Sequence, residues 1–132
     1  MKLNQVTVGC TDYDASVAFY RALGLTLIVD APPRYARFET ATGETFSIHH
    51  VDAVSAPTTV VYFETATLDQ TVKALKGAGL TFMNDPVDQS WGWREARLHD
   101  PAGNELCLFW GGDNRRFPAW RVDGQTHDNT ED

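Results

Sequence analysis

Cysteine is nearly absent: Cys10 and Cys107 are the only two in 132 residues. Two cysteines cannot build a disulfide framework, and the count suits a reducing cytoplasm with each thiol used as a small buried apolar group. Basic charge is also short. The 11 Lys and Arg against 18 Asp and Glu leave a net charge of −7, which argues against nucleic acid or an anionic membrane as a principal partner, since both are held through excess cations. No run of about 18 apolar residues exists to cross a bilayer. The opening MKLNQVTVGC carries a single Lys and passes straight into alternating residues, unlike a secretory signal. A Gly-rich phosphate loop, a G-x-S-x-G elbow, a paired C-x-x-C motif and a helix-turn-helix are all missing. What is there, 42% hydrophobic and 11% aromatic residues, fits one globular domain with its own core.

The chain is rich in self-similarity. Asp14-Ala15-Ser16-Val17 through Gly24-Leu25-Thr26-Leu27 returns 55 residues later as Asp69-Gln70-Thr71-Val72 through Gly79-Leu80-Thr81-Phe82. RYARFETATGETFSI, from Arg34 to Ile48, returns 60 residues later as REARLHDPAGNELCL, with Arg34/Arg94, Ala36/Ala96, Arg37/Arg97 and Gly43/Gly103 in step. The change of offset puts five extra residues in the second copy, between Asn84 and Arg94. Each copy is too short for an ordinary domain, so the expectation is one domain over 1–122, with modules 1–52 and 58–110 and an extension over 111–122. In the extension, Arg115, Arg116 and Arg121 are spaced around Phe117, Pro118 and Trp120, the pattern of a packed segment rather than a phosphate patch. Residues 123–132 form a polar, acidic tail expected to be disordered.

Within each module the periodicities repeat. Leu3 to Cys10 alternates as a strand, with Val6 and Val8 on one face and Gln5 and Thr7 on the other. Thr11, Asp12 or Asp14 caps a helix carrying Val17, Tyr20 and Leu23, and Gly24 ends it. Leu25 to Asp30, Arg34 to Glu39 and Thr45 to Val51 read as strands, the last two joined by a hairpin at Thr42-Gly43. The second module repeats this order: strand Thr59 to Glu64, a helix with Leu68, Val72 and Leu75 on one side, then strands Leu80 to Met83, Trp93 to Leu98 and Glu105 to Trp110. Pro101, Gly103 and Asn104 suit the turn between the last two. The fold class is α+β: tandem β-α-β-β-β modules forming curved mixed sheets around a cavity, one helix on the outside of each.

A tandem unit of this kind with a D-P-x-G-N turn before its last strand resembles the vicinal oxygen chelate superfamily, which includes glyoxalase I, extradiol dioxygenases, fosfomycin resistance enzymes and bleomycin resistance proteins. SVAFYRALG from Ser16, Leu68 to Gly79, and WREARLHDPAGNELCLF from Trp93 carry the resemblance, which spans roughly residues 1–110. In metal-dependent members the ligands lie on the first and last strands of each module, usually His first and Glu or His last. Carried over, the positions are Gln5, Val60, Ser47 and Cys107. Val cannot ligate, Gln and Ser are weak neutral donors, and one thiolate cannot hold a Zn, Ni or Fe ion alone. The expectation is therefore no metal at that site and no cofactor.

Other residues offer chemistry. Of His49 and His50 only one can face the cavity, and it is His49 if Ser47 does. His49 is the best catalytic candidate, as a general base or a donor to a carbonyl, or it is a hydrogen-bonded strand residue. Cys107 is a conceivable nucleophile without an obvious activating partner. Trp91 and Trp93 flank Gly92 in or beside the five-residue excess, as a wall for an aromatic ligand, a dimer contact or core. Tyr62 shares the face of Val60. Arg34 and Arg94 could hold an anionic ligand, but their repetition in both modules favours a structural role. His99 and His127 are poorly placed for catalysis. The expected ligand-binding set is Gln5, Thr7, Ser47, His49, Tyr62, Trp91, Trp93 and Cys107. Three functional readings stay open: a metal-free binder of a small organic molecule; a lyase, isomerase or dioxygenase-type enzyme, metal-free through His49 or metal-dependent through ligands at unusual positions; and an interaction module with a vestigial cavity. Relatives commonly pair modules within a chain or between two chains, and since dimers are the commonest symmetric assembly a homodimer is expected.

Overall fold

In the computed structural model, which describes residues 1–126, the order is β1 (Gln5–Cys10), α1 (Tyr13–Leu23), β2 (Thr26–Ala31), β3 (Tyr35–Glu39), β4 (Thr45–His50), β5 (Val60–Glu64), α2 (Leu68–Gly77), β6 (Val87–Asp88), β7 (Arg94–His99) and β8 (Glu105–Trp110). Two four-stranded sheets result, with orders β1-β4-β3-β2 and β5-β8-β7-β6. Each is mixed: the first strand of each module runs parallel to the last, and the hairpins are antiparallel. The architecture is the expected α+β one.

Local chemistry explains the helices. Asp12 accepts a hydrogen bond from the Ala15 amide at 3.0 Å, which satisfies a donor that a helix N-terminus leaves free. Gly24 ends α1 with φ of 113°, a left-handed conformation that only Gly adopts without cost. The buried side of α1 is Tyr13, Ser16 and Tyr20, with Val17 and Leu23 partly buried beside them. In α2 the predicted Leu68, Val72 and Leu75 are the buried residues.

Alternation along the strands does the rest. Val8, Cys10, Ala36, Phe38, Phe46 and Ile48 are buried on the α1 side of the first sheet, where the Tyr20 ring lies 4.6 Å from Phe46 and 5.8 Å from Phe38. Val61, Ala96, Leu98, Leu106 and Leu108 join α2 in the same apolar cluster. Phe46 meets Phe63 across the modules at 5.8 Å. Two polar links reinforce that junction: the Tyr20 hydroxyl donates to Asp100 Oδ2 at 2.6 Å, and Asn104 Nδ2 donates to the Gly9 carbonyl at 2.8 Å.

One expected strand is nearly lost. Leu80 to Met83 contributes only an isolated bridge from Phe82 to Leu98, and the edge strand is instead the short β6, inside the five-residue excess. Asn84 explains the switch. Its side chain accepts from the Arg97 amide at 3.0 Å and donates to the Glu95 carbonyl at 3.2 Å, taking ladder positions that backbone would otherwise fill, while Pro86 has no N–H to offer. Arg94 has the structural role expected of it: it pairs with Asp69 at the start of α2 and with Asp88 on β6.

After β8 comes a 3-10 helix, Gly112–Arg115. Beyond it, the Arg116 and Arg121 guanidinium groups lie 5.1 Å and 4.7 Å from the Phe117 ring centre, and Arg115 pairs with Glu64 at 3.4 Å. The extension thus packs its arginines on Phe117 and is tied back to Glu64 of β5. Of the expected tail, residues 123–126 include a turn in which Arg121 pairs with Asp123 at 2.8 Å; His127 and the rest of 127–132 lie outside the described residues. No helix among the described residues is long and apolar enough to cross a membrane.

Candidate functional site

The face of each sheet opposite its helix carries the polar residues. In the first sheet Gln5, Thr7 and Gly9 stand beside Thr45, Ser47 and His49, which in turn oppose Glu39, Arg37 and Tyr35. In the second, Val60, Tyr62 and Glu64 stand beside Glu105, Cys107 and Phe109, opposed by His99, Arg97 and Glu95. Period-two alternation makes this sidedness unavoidable once Val8, Phe46, Leu106 and Leu108 are buried. The predicted facing of Gln5, Val60, Ser47, Cys107 and His49 agrees with this pairing.

On the first face the polar atoms are linked. The Thr7 and Ser47 hydroxyl oxygens lie 2.6 Å apart, and Gln5 Nε2 is 3.5 Å from Ser47 Oγ. Arg37 Nε donates to the Tyr35 hydroxyl at 2.9 Å. Hydrogen bonding from Ser47, aided by Arg37 and opposed by partial burial, holds the Tyr35 phenol below its ordinary value. His49 is exposed beside this cluster, and no hydrogen bond among the described residues fixes its ring.

The second face is aromatic and ionic. Trp93 stacks on Phe109 with ring centres 4.3 Å apart, and Tyr62 meets both edge-on at 6.0 Å and 5.8 Å. Trp91 Nε1 donates to Glu95 Oε2 at 2.9 Å. Arg97 pairs with Glu95 and Glu105. Burial, followed by the neighbouring Glu95 charge, pushes the Cys107 thiol up to about 12, so it is a protonated group rather than a nucleophile near neutral pH.

The sequence-derived set thus falls into two groups: Gln5, Thr7, Ser47 and His49 on one sheet, and Tyr62, Trp91, Trp93 and Cys107 on the other. Gln5 and Tyr62 do meet, as walls of one cleft of about 770 Å³ that also takes in Thr45, Glu64 and Arg115. Thr7 and His49 line a second, of about 390 Å³, with Val51, Val54 and Asn104. Sequence reasoning missed Tyr35, Arg37, Glu95, Arg97 and Glu105. Two-residue alternation from Ser47 and Cys107 across each hairpin would have found Arg37 and Arg97.

These residues do not fit a divalent metal. Val60 has no donor, the Cys107 thiol resists ionisation, and Ser47 is engaged by Thr7. Among the described residues no group of three or more His, Cys, Asp or Glu is placed to hold an ion.

Comparison with known proteins accounts for the scaffold. No curated protein matches the chain. A glyoxalase/bleomycin resistance protein/dioxygenase from Nocardioides is 25% identical, covering 84% of this chain and 83% of its own with a TM-score of 0.70. Lactoylglutathione lyase from Agrobacterium tumefaciens is 17% identical over 83% of this chain and 93% of its own, TM-score 0.70. A bleomycin-binding protein complexed with bleomycin is 18% identical over 83% of this chain and 98% of its own, TM-score 0.69. The model of the Glyoxalase/Bleomycin resistance protein/Dioxygenase superfamily matches residues 2–108, and with the two mixed sheets of the same strand order this establishes that the chain belongs to that superfamily.

Proposed function

We propose that this protein binds a small organic molecule on the polar faces of its sheets, without a metal ion. The observation that carries this reading is the exchange of donors for walls: non-donor side chains stand where metal ligands would, while Tyr62, Trp93 and Phe109 form an aromatic surface beside the larger cleft. Tyr62 and Trp91 keep 46% and 41% of their surface exposed, an arrangement suited to stacking on a flat or apolar ligand. The same fold accommodates bleomycin in the bleomycin-binding protein. Both cysteines are free and buried, which supports a reducing compartment, the cytoplasm, as its location.

A metal-free lyase or isomerase is the second reading, favoured by the exposure of His49 directly across from Tyr35. Metal analysis of protein purified without chelators is expected to give substoichiometric Zn, Ni, Mn and Fe; a stoichiometric ion sinks the metal-free reading. A thermal-shift screen of small organic compounds is expected to return stabilising ligands that also quench Trp fluorescence. His49→Ala should leave that binding within about 3-fold, as for loss of one exposed neutral contact. Turnover of a screened compound by wild type that His49→Ala abolishes favours the enzyme instead.

The working form is a homodimer. Ile28, Met83, Trp110 and Trp120 are all exposed, and closed two-fold pairing, the commonest symmetric assembly, offers apolar side chains of this kind a partner surface. Sedimentation velocity should give twice the chain mass of 14.7 kDa. A single-chain mass across the working concentration range contradicts the dimer.

A further inference from the structure

Two arginines occupy corresponding places in the two sheets. Arg37 on β3 opposes Ser47, and Arg97 on β7 opposes Cys107. Each guanidinium carbon lies over a tyrosine ring, 5.5 Å from Tyr35 for Arg37 and 5.8 Å from Tyr62 for Arg97. Their neutralisation differs.

Arg97 is enclosed by carboxylates. Nη1 reaches Glu105 Oε2 at 2.5 Å and Nη2 reaches Glu95 Oε1 at 3.2 Å. By strand register, the first-sheet residues in the places of Glu95 and Glu105 are Tyr35 and Thr45, and neither carries charge. Arg37 gives its Nε proton to the Tyr35 hydroxyl. It makes no ion pair among the described residues, and its Nη1 and Nη2 have no protein partner there. Glu39, on the same strand face, is not within ion-pair distance of it. A half-buried cation on a chain of net charge −7 therefore faces outward with its fork free. Its neighbours are neutral: the Gln5 amide and the Thr7 and Tyr35 hydroxyls, with Ser47 buried beneath them.

We infer that Arg37 anchors a carboxylate on the ligand, with Gln5 and Tyr35 beside it and the body of the ligand extending toward the cleft that Gln5 shares with Tyr62. This deepens, and rests on, the small-molecule reading above. A carboxylate matches because two parallel N–H groups of one guanidinium bind its two oxygens in a plane. With Arg115 of the cleft already paired to Glu64, Arg37 is the cation left to the ligand, and a phosphate dianion would keep an uncompensated charge.

The test uses the full chain, titrated by calorimetry with benzoate and with its neutral counterpart benzamide. Benzoate should bind at least about 10-fold more tightly, and Arg37→Gln should weaken benzoate by about 10- to 100-fold while leaving benzamide unchanged, the loss expected for a charge-assisted hydrogen-bond pair. Thr45→Glu, which supplies the first sheet with the counterpart of Glu105, should abolish the benzoate preference by neutralising Arg37 from within. An unchanged unfolding midpoint in both variants excludes misfolding as the cause. Equal binding of the two probes, or benzoate binding indifferent to both substitutions, overturns the carboxylate site while the small-molecule reading survives. Binding of neither probe also overturns it, and stabilising neutral compounds in the thermal-shift screen would then keep the broader reading alive.

Discussion

Asp100→Ala is expected to destabilise the protein by about 3–5 kcal/mol, the cost of stripping the acceptor from several buried donors at once. Asp100 is 5% exposed. Its Oδ1 accepts from the Ala102 and Asn104 amides at 3.0 Å and 2.9 Å, and its Oδ2 accepts from Asn104 Nδ2 at 2.8 Å and the Tyr20 hydroxyl at 2.6 Å. The first two bonds shape the turn between β7 and β8. The last two reach out of the module, because Tyr20 belongs to α1 and Asn104 Nδ2 also binds Gly9 on β1. Loss of the carboxylate leaves a tyrosine hydroxyl and two amides without partners in a site closed to water. Urea unfolding followed by Trp fluorescence measures the effect. Asp100→Asn, which keeps one oxygen acceptor, should lose roughly half as much, and Tyr20→Phe about 1 kcal/mol, the usual net worth of a single hydrogen bond. A loss below about 1 kcal/mol in Asp100→Ala would mean that the turn and α1 are not energetically coupled.

That network was only half legible in the amino-acid sequence. Pro101, Gly103 and Asn104 mark a turn from their backbone preferences alone, but nothing local says that Asp100 will meet Tyr20, 80 residues away. The first module was readable almost throughout, since Val6, Val8, Phe46 and Ile48 alternate with Gln5, Thr7, Ser47 and His49, and burial of the first set fixes the second. The second module departed at Leu80 to Met83, where periodicity suits a strand and the Asn84 side chain takes its hydrogen bonds. A side chain that imitates backbone leaves no mark in hydrophobic pattern. The site was partial for a related reason. Arg34 and Arg94 draw the eye at the start of each aligned block, yet the residues at the centre of each polar face are Arg37 and Arg97. Whether such an arginine is neutralised depends on Glu105, which sits on the neighbouring strand two ladder positions away, and on Glu95, two residues along its own strand.

Stability should fall steeply above pH 9, and Cys107 should account for the largest single share. The thiol is fully buried on the second polar face. Burial, with the Glu95 charge next in importance, raises it from 9.0 to about 12. A raised acid stays protonated in the folded chain while the unfolded chain releases its proton, so the unfolded state binds fewer protons and ∂ΔG/∂pH is negative. The stability is fully present below the unfolded value near 9 and is lost as pH climbs toward 12. Between about pH 8 and 11 the loss from this thiol is about 2–3 kcal/mol, because the unfolded thiol ionises only above about 9 and the slope of about 1.4 kcal/mol per unit acts over about two of those three units. Cys10 and Tyr20, both raised chiefly by burial with Asp100 next, add in the same direction. Urea unfolding at stepped pH should therefore show a decline in wild type that Cys107→Ala flattens by the stated amount, against a constant cost of about 1 kcal/mol at neutral pH for the small cavity. A Cys107→Ala curve parallel to wild type from pH 8 to 11 would remove Cys107 from the alkaline transition and leave it to the other raised groups, Cys10, Tyr13 and Tyr20. Because Arg97 and Glu95 pack against the same thiol, the flattening also reports whether the ionic cluster of the second face stays closed over Cys107 in solution.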